Sequence, residues 1–327
     1  MKSTPSLARR TAAGLWALAA LGPAFALAAD SYPSQPIHLV VGFPPGGGVD
    51  ALARVIQGPL AEELKANVIV DNKPGAGGIL ATEQVSHAAG DGYTLYINSP
   101  GSFTIWPNLR KVPYDPAKDF TPISRLVVMP NVLVVNPQSG ISSVKELVAK
   151  AKGHSGDINY ASGGIGTIGQ IAGEEFNMLA GVKMQHIAYK GTAPALIDVM
   201  AGQVPVTFSD PSAKGMIDSG KLKALAVSSG KRSPLFPALP TVAESGVPGY
   251  DVINWYGIVA PKGLPPEVDR KLDAAIAKVM ERKDVHDLLA KQGMQAMHES
   301  PTQFAAFMSA ENAKWADLIK RAGIRAE

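Results

Sequence analysis

Two short stretches carry residue types suited to holding a small anion. Phe43-Pro44-Pro45-Gly46-Gly47-Gly48-Val49-Asp50 follows an apolar run and opens a helical pattern, Asp50–Leu64; Ser162-Gly163-Gly164-Ile165-Gly166-Thr167 stands at a similar junction. Glycines at a strand-to-helix turn let backbone N–H groups approach a ligand closely, and a helix N-terminus adds unpaired donors and a partial positive charge. Ser162 and Thr167 add hydroxyls, and neither turn holds Lys or Arg, so neutral donors around a carboxylate fit better than phosphate capture. Taken alone, the second stretch also reads as glycines making a tight turn. Two such turns facing each other across a cleft would clamp an anion. Four or five charge-assisted bonds at roughly 1.5–3 kcal/mol, plus about 0.3–1 for each helix terminus, less binding entropy, reach about −8 kcal/mol, a micromolar affinity.

Gly164, Gly166 and Gly169 also spell GxGxxG, the dinucleotide fingerprint. That reading needs an acidic residue about twenty positions on, at the end of the next strand, for the ribose hydroxyls. Between Glu175 and Asp198 there is no Asp or Glu, so a nucleotide is set aside. Catalytic patterns are weaker still. Ser142–Lys145 and Ser228–Lys231 match SxxK, but no KTG follows and Ser209-Asp210-Pro211 is not SDN. Ser162 lacks the glycine two places earlier that a nucleophile elbow needs, and the six histidines show no ligand spacing. His186, inside an apolar strand, reads as a satisfied core residue. Trp255 and Tyr256 divide between hinge packing and cleft lining, as do Phe103 and Trp106.

The elements that must position these turns alternate along the chain. Ile37–Gly42, Asn67–Asp71, Tyr93–Asn98, Ile158–Ala161, Met184–Tyr189, Val204–Phe208 and Leu222–Ser228 are short apolar runs bounded by Gly, Pro or Ser, and read as buried strands. Helical patterns between them argue for open α/β sheets with crossover helices. Ser143 with Glu146, and Ser300 with Pro301 and Gln303, read as capping boxes; the last seventy residues read as mainly helical, and the charges of Glu267–Asp284 as a solvated helix face. Thr121–Pro137 and Tyr250–Gly263 are long, extended and proline-punctuated. They suit two crossings between lobes, giving a first lobe of 30–130 and 254–327 and a second of 131–253.

The first 29 residues read as a secretory signal peptide: Lys2, Arg9 and Arg10 precede the apolar run Ala12–Leu21, and Ala26-Leu27-Ala28 fits cleavage after Ala28 or Ala29. The apolar core is too short for a comfortable membrane span. The chain has 31 Lys and Arg against 28 Asp and Glu, and three of the basic residues lie in this leader, so the mature charges balance. Nothing favours nucleic acid or an anionic membrane as partner. The absence of cysteine excludes disulfides, thiol catalysis, Cys-type zinc sites and lipidation of an N-terminal Cys. Roughly 300 mature residues exceed one ordinary core, so two lobes are expected.

The strings YPSQPIHLVVGFPPGGGVDALAR, VDNKPGAGG, DGYTL, YDPAKDFTPIS, NYASGG, AYKGTAPAL, GKLKALAVSS and PTVAESGVPGY together resemble the Bug-type receptors, the extracytoplasmic solute-binding proteins of tripartite tricarboxylate transporters. The similarity runs over essentially the whole mature chain. It implies a type II periplasmic-binding-protein fold, two α/β lobes joined by two crossovers and closing on carboxylated small molecules. In the family, loops matching Phe43–Gly48 and Ser162–Thr167 hold one ligand carboxylate, partly through bridging waters. Carried over residue by residue, the resemblance marks Phe43, Pro44, Gly46, Gly47, Asp50, Ser162, Gly164, Gly166 and Thr167, with Tyr189, Gly191, Asp210, Ser99 and Gly101 shaping the distal end. Val49, Ile165, Ile168, Gly169 and Gln170 depart from the family's frequent Thr, Asn, Ser, Ser and His. These departures imply a more apolar distal pocket that favours aromatic or alkyl carboxylates.

The expectation is thus a monomeric periplasmic receptor without catalysis, metal or cofactor that delivers its carboxylate to a membrane permease. A sensor subunit presenting the same solute to a membrane kinase, and an exported hydrolase or isomerase using the same cleft, are the alternatives.

Overall fold

The computed structural model describes Met1 and residues 32–153 and 156–325; the leader reading falls on residues outside the described ones. The chain opens with β1 (Ile37–Val41), α1 (Gly48–Leu64), β2 (Val68–Asn72), α2 (Ile79–Ser86), β3 (Thr94–Asn98), α3 (Trp106–Leu109) and β4 (Phe120–Pro130). A second run follows: β5 (Val132–Val135), α4 (Val144–Gly153), β6 (Asn159–Ser162), α5 (Ile168–Ala180), β7 (Gln185–Ala188), α6 (Thr192–Met200), β8 (Val206–Ser209), α7 (Lys214–Asp218) and β9 (Lys223–Val227). The chain closes with β10 (Ile253–Pro261), α8 (Pro266–Glu281), α9 (Lys283–Lys291), β11 (Gln295–Ala296) and α10 (Pro301–Ala322).

These strands form two sheets, ordered β11-β4-β10-β3-β1-β2 and β7-β6-β8-β5-β9. Parallel pairing joins β1 to β2 and β3, and β6 to β7 and β8, while β10 runs antiparallel between β3 and β4. The seven apolar runs read as strands all pair in these sheets. The two proline-punctuated segments are strands as well: Thr121–Pro137 is split into β4 and β5 by Asn131 alone, and Tyr250–Gly263 contains β10. Prolines 122, 130 and 261 fall where β4 and β10 shift register or end, so the missing N–H groups cost little.

Helix faces explain the packing. In α1, Val49, Leu52, Ala53, Ile56, Leu60 and Leu64 recur at helical spacing and are buried; in α8, Val268, Leu272, Ile276 and Val279 do the same while Glu267, Arg270 and Lys271 stay on the outer side. Ser300 and Gln303 form the reciprocal capping box of α10. At α4 the reciprocity is offset by one residue. Ser143 Oγ accepts from Glu146 N at 3.2 Å, but the Glu146 carboxylate accepts from Ser142 N and Oγ, both at 2.7 Å.

The chain passes between sheets at Asn131 and returns at Val252. Asn131 N donates to Ser228 Oγ at 2.8 Å, Ser228 N donates to the Asn131 carbonyl at 2.8 Å, and Ser228 Oγ donates to the Val252 carbonyl at 2.6 Å. A buried serine therefore ties the two crossings together. Helix α10 serves both cores: Phe304 packs against Trp255 with centroids 5.6 Å apart, whereas Trp315, Leu318 and Ile319 pack with residues of the second sheet's core.

Candidate ligand-binding cleft

A cavity of about 480 Å³ lies where the two sheets face each other. Its walls come from the turn after β1 (Phe43 to Val49), the turn after β3 (Ser99 to Gly101), the turn after β6 (Gly163 and Ile165 to Gly169), Gly191 and Thr192 after β7, and Asp210 after β8. All of these follow the carboxyl ends of strands, the usual place for ligands in open α/β sheets. Asn131, Asn254 and Tyr256 contribute from the crossings.

Of the residues expected from the sequence, Phe43, Pro44, Gly46, Gly47, Ser99, Gly101, Gly166, Thr167, Gly191 and Asp210 line this cavity. Asp50, Ser162, Gly164 and Tyr189 do not, and each is engaged elsewhere. Asp50 is 2% exposed; its carboxylate accepts from Gly46 N at 2.8 Å, Arg54 Nε at 2.9 Å and Asn72 Nδ2 at 2.9 Å. Burial pushes its pKa up, but those donors outweigh burial and hold it below the usual carboxylate range. Ser162 Oγ shares a 2.6 Å hydrogen bond with His186 Nε2 and accepts from Gly164 N at 3.1 Å. The Gly164 carbonyl accepts from Thr167 Oγ1 at 2.7 Å. Tyr189 Oη donates to Asp198 at 2.7 Å. These groups shape the loops from behind.

The donors available to a ligand therefore differ from those first expected. Gly46 N is spent on Asp50, Gly164 N on Ser162, and Gly166 N on Gln170 Oε1 at 2.9 Å. Amides in the first turn of a helix have no intrahelical acceptor. Gly48 and Val49 occupy those positions in α1, as do Ile168 and Gly169 in α5, and all four line the cavity. Two helix N-termini, one behind each sheet, thus open on one space.

No Lys, Arg or His occurs among the described residues lining it. Asp210 is the one carboxylate there; its oxygens accept from Thr192 Oγ1 at 3.1 Å and Ser212 N at 3.0 Å. Tyr256 stays a neutral phenol, since burial and the nearby Asp210 charge both raise its pKa. Asn131 Nδ2 donates to the Phe208 carbonyl at 2.8 Å and leaves Oδ1 without a partner. Val49, Ile165 and Ile168, three of the departures, add aliphatic surface; Gln170 braces its loop instead.

Spacing alone left the aromatic residues undecided. Trp255 is fully buried against Phe304 and Phe307, while Tyr256, on the opposite face of β10, lines the cavity. Phe103 is buried in the first core and Trp106 reaches the cavity. The sequence reading also passed over Asn131 and Asn254. Both are polar residues at the ends of otherwise apolar crossings, which was the available signal.

Chemistry other than binding finds little footing. Ser162 and His186 sit at nucleophile–base distance, but Ser162 is 2% exposed and off the cavity wall. His186 stacks on Tyr160 at 5.0 Å, and burial pushes its pKa down to about 4. Ser228 of the SxxK pattern is fully buried with its hydroxyl proton on Val252. Among the described residues no three His, Asp or Glu side chains group as a metal site, and no helix is long and apolar enough to cross a membrane. The third glycine of GxGxxG has a packing role: a Cβ on Gly169 would lie 3.0 Å from the Phe208 carbonyl.

The profile of the tripartite tricarboxylate transporter family receptor, TctC, matches residues 52–324. The chain is 34% identical to protein BugT of Bordetella pertussis, over 94% of this chain and 95% of that one. Among solved structures, Rpa4515 of R. palustris with adipate superimposes with a TM-score of 0.81 at 33% identity, covering 90% of this chain and 99% of that one. MatC from Rhodopseudomonas palustris with bound malate gives 0.78 at 32% identity, covering 88% and 100%. Two facing α/β sheets, a double crossing and a cleft at the strand ends agree with that likeness over nearly the whole length. The chain belongs to the tripartite tricarboxylate transporter receptor family, the Bug-type periplasmic solute-binding proteins, and has their type II periplasmic-binding-protein fold.

Proposed function

We propose that this receptor captures a small carboxylate between a lobe of 30–130 with 254–327 and a lobe of 131–253, and hands it to the permease of a tripartite tricarboxylate transporter without chemistry of its own. The observation that carries this reading is the pair of helix N-termini, at Gly48–Val49 and Ile168–Gly169, opening on one cavity lined by no cationic side chain among the described residues. Charge-assisted bonds from backbone amides bind a carboxylate at micromolar strength without a buried Arg. The adipate and malate held by similar receptors support the ligand class.

In this reading Gly46, Gly47, Gly166 and Thr167 bring the two turns to the carboxylate, and Phe43, Pro44, Ser99, Gly101, Gly191 and Asp210 bound the rest of the ligand. Asp50, Ser162, Gly164 and Tyr189 hold the loops in place. Val49, Ile165 and Ile168 favour an alkyl or aromatic acid over a densely polar one. The chain acts as a monomer, exported by a leader removed near Ala28 or Ala29.

Native mass spectrometry of the protein as purified, followed by melting shifts with hexanoate, benzoate, adipate, malate, citrate and aspartate, tests the reading. A retained carboxylate, and larger shifts with the first three acids, are expected. No shift with any of the six would refute the receptor reading, and a preference for citrate or aspartate over benzoate would refute the apolar pocket alone.

A further inference from the structure

Trp106 is a large side chain in the cavity wall, wedged between turns of both sheets. It opens α3, and its indole lines the cavity. A Cβ on Gly77, in the turn before α2, would lie 2.7 Å from Trp106 Nε1; a Cβ on Gly166, in the turn before α5, would lie 2.6 Å from Trp106 Cε2. Both separations are shorter than real Cβ contacts, so the ring is seated against bare backbone on both sides. The Arg110 guanidinium lies 5.1 Å from the ring centroid. Its neighbour Ile105 is fully buried in the second core and Phe103 in the first. The segment is thereby anchored to both sheets, which leaves the ring little freedom to move aside for a ligand.

We infer that Trp106 is a specificity-determining residue: its indole is the wall that limits how bulky a carboxylate the closed cleft accepts, and Gly77 and Gly166 are the sockets that hold it there. This deepens the carboxylate-receptor reading and rests on it. Truncating the ring adds space inside the cavity, whereas a methyl group on Gly166 forces the ring out of its seat and reshapes that wall. A ring that merely packs the junction would change stability without changing the order of ligand sizes.

The test is calorimetric binding of two matched pairs, benzoate with 2-naphthoate and hexanoate with decanoate, to the wild type, Trp106→Ala, Trp106→Phe, Gly166→Ala and the Trp106→Ala/Gly166→Ala double variant. Trp106→Ala is expected to raise the larger-to-smaller affinity ratio at least tenfold in a pair the wild type binds, and Trp106→Phe by less. Gly166 has φ +74°, so Gly166→Ala carries backbone strain of its own. It should weaken the larger acid most when Trp106 is present, and act equally on both acids once the ring is gone, a coupling read from the double-mutant cycle. Unchanged ratios in Trp106→Ala, with a lowered melting temperature only, would overturn the inference and leave the receptor reading intact. A wild type that binds none of these acids, nor adipate or malate, would overturn both.

Discussion

Asn131 and Ser228 are joined by two hydrogen bonds of 2.8 Å, one in each direction, at the point where the chain leaves the first sheet for the second. The Ser228 hydroxyl then reaches the Val252 carbonyl at 2.6 Å, so one buried side chain holds both crossings at a fixed spacing. Removing it orphans the Asn131 N–H and the Val252 carbonyl in a place without exposure. Ser228→Ala is expected to cost about 1–3 kcal/mol, the penalty of a buried unsatisfied polar group. Urea unfolding reads that cost; a loss under about 0.5 kcal/mol would show that other groups hold the crossings together.

The burial of His186 predicts an acid limb in the stability profile. The folded His186 titrates at about 4 because burial disfavours its charged form, against about 6.5 when unfolded. Between those values the unfolded chain binds more protons, so stability falls as pH drops from 6.5 to 4, by up to about 3 kcal/mol. His186→Gln should flatten that limb in unfolding midpoints measured across this window, and an unaltered slope would count against the assignment.

Glu175 predicts the opposite slope. At 5% exposure, burial against α10 pushes its carboxyl up to about 7, despite the opposing charge of Lys314 Nζ at 3.5 Å. Its folded pKa lies above the unfolded value near 4.5, so its contribution is fullest below 4.5 and is lost as pH rises through 7. Glu175→Gln should therefore be more stable than the wild type at pH 8, by about 1–3 kcal/mol, and close to it at pH 4.5. Melting at the two pH values checks the sign.

Asp210 should govern the response to a second anionic group. With no cationic side chain among the described lining residues, a distal carboxylate near Asp210 meets uncompensated repulsion, roughly 3 kcal/mol at 5 Å and an effective dielectric of 20, less after screening by salt. Asp210→Asn is expected to raise affinity for adipate by about tenfold while moving hexanoate little. Titration calorimetry with both acids checks this, and equal changes for the two would place Asp210 away from the bound ligand.

Most of the architecture was legible because strands such as β1 and β8 are largely buried and read as short apolar-rich runs, IHLVV and VPVTF, bounded by turn residues, even where β2 and β7 are partly exposed. The crossings were less so, since β4 and β10 are long enough to look like extended linkers, and the pairing that makes them strands comes from segments over a hundred residues away. The site was legible as two loops but not as atoms. Asp50, Ser162 and Tyr189 carry polar groups that suit a ligand, yet each finds a nearer partner in Arg54, His186 or Asp198, which spacing does not disclose. Trp106 and Tyr256 became distinguishable from Phe103 and Trp255 only once the backbone assigned each a face.

Helix α10 begins in one core with Phe304 and ends in the other with Trp315, a fully buried indole contributed by the last thirteen residues of the chain. The second sheet, β5 to β9, therefore lacks part of its packing until α10 has been made. Excised as a gene fragment, or grafted into another receptor to change what that receptor binds, it would arrive with a hole where Trp315 belongs. In this protein the unit that recombination can move is the pair of lobes together.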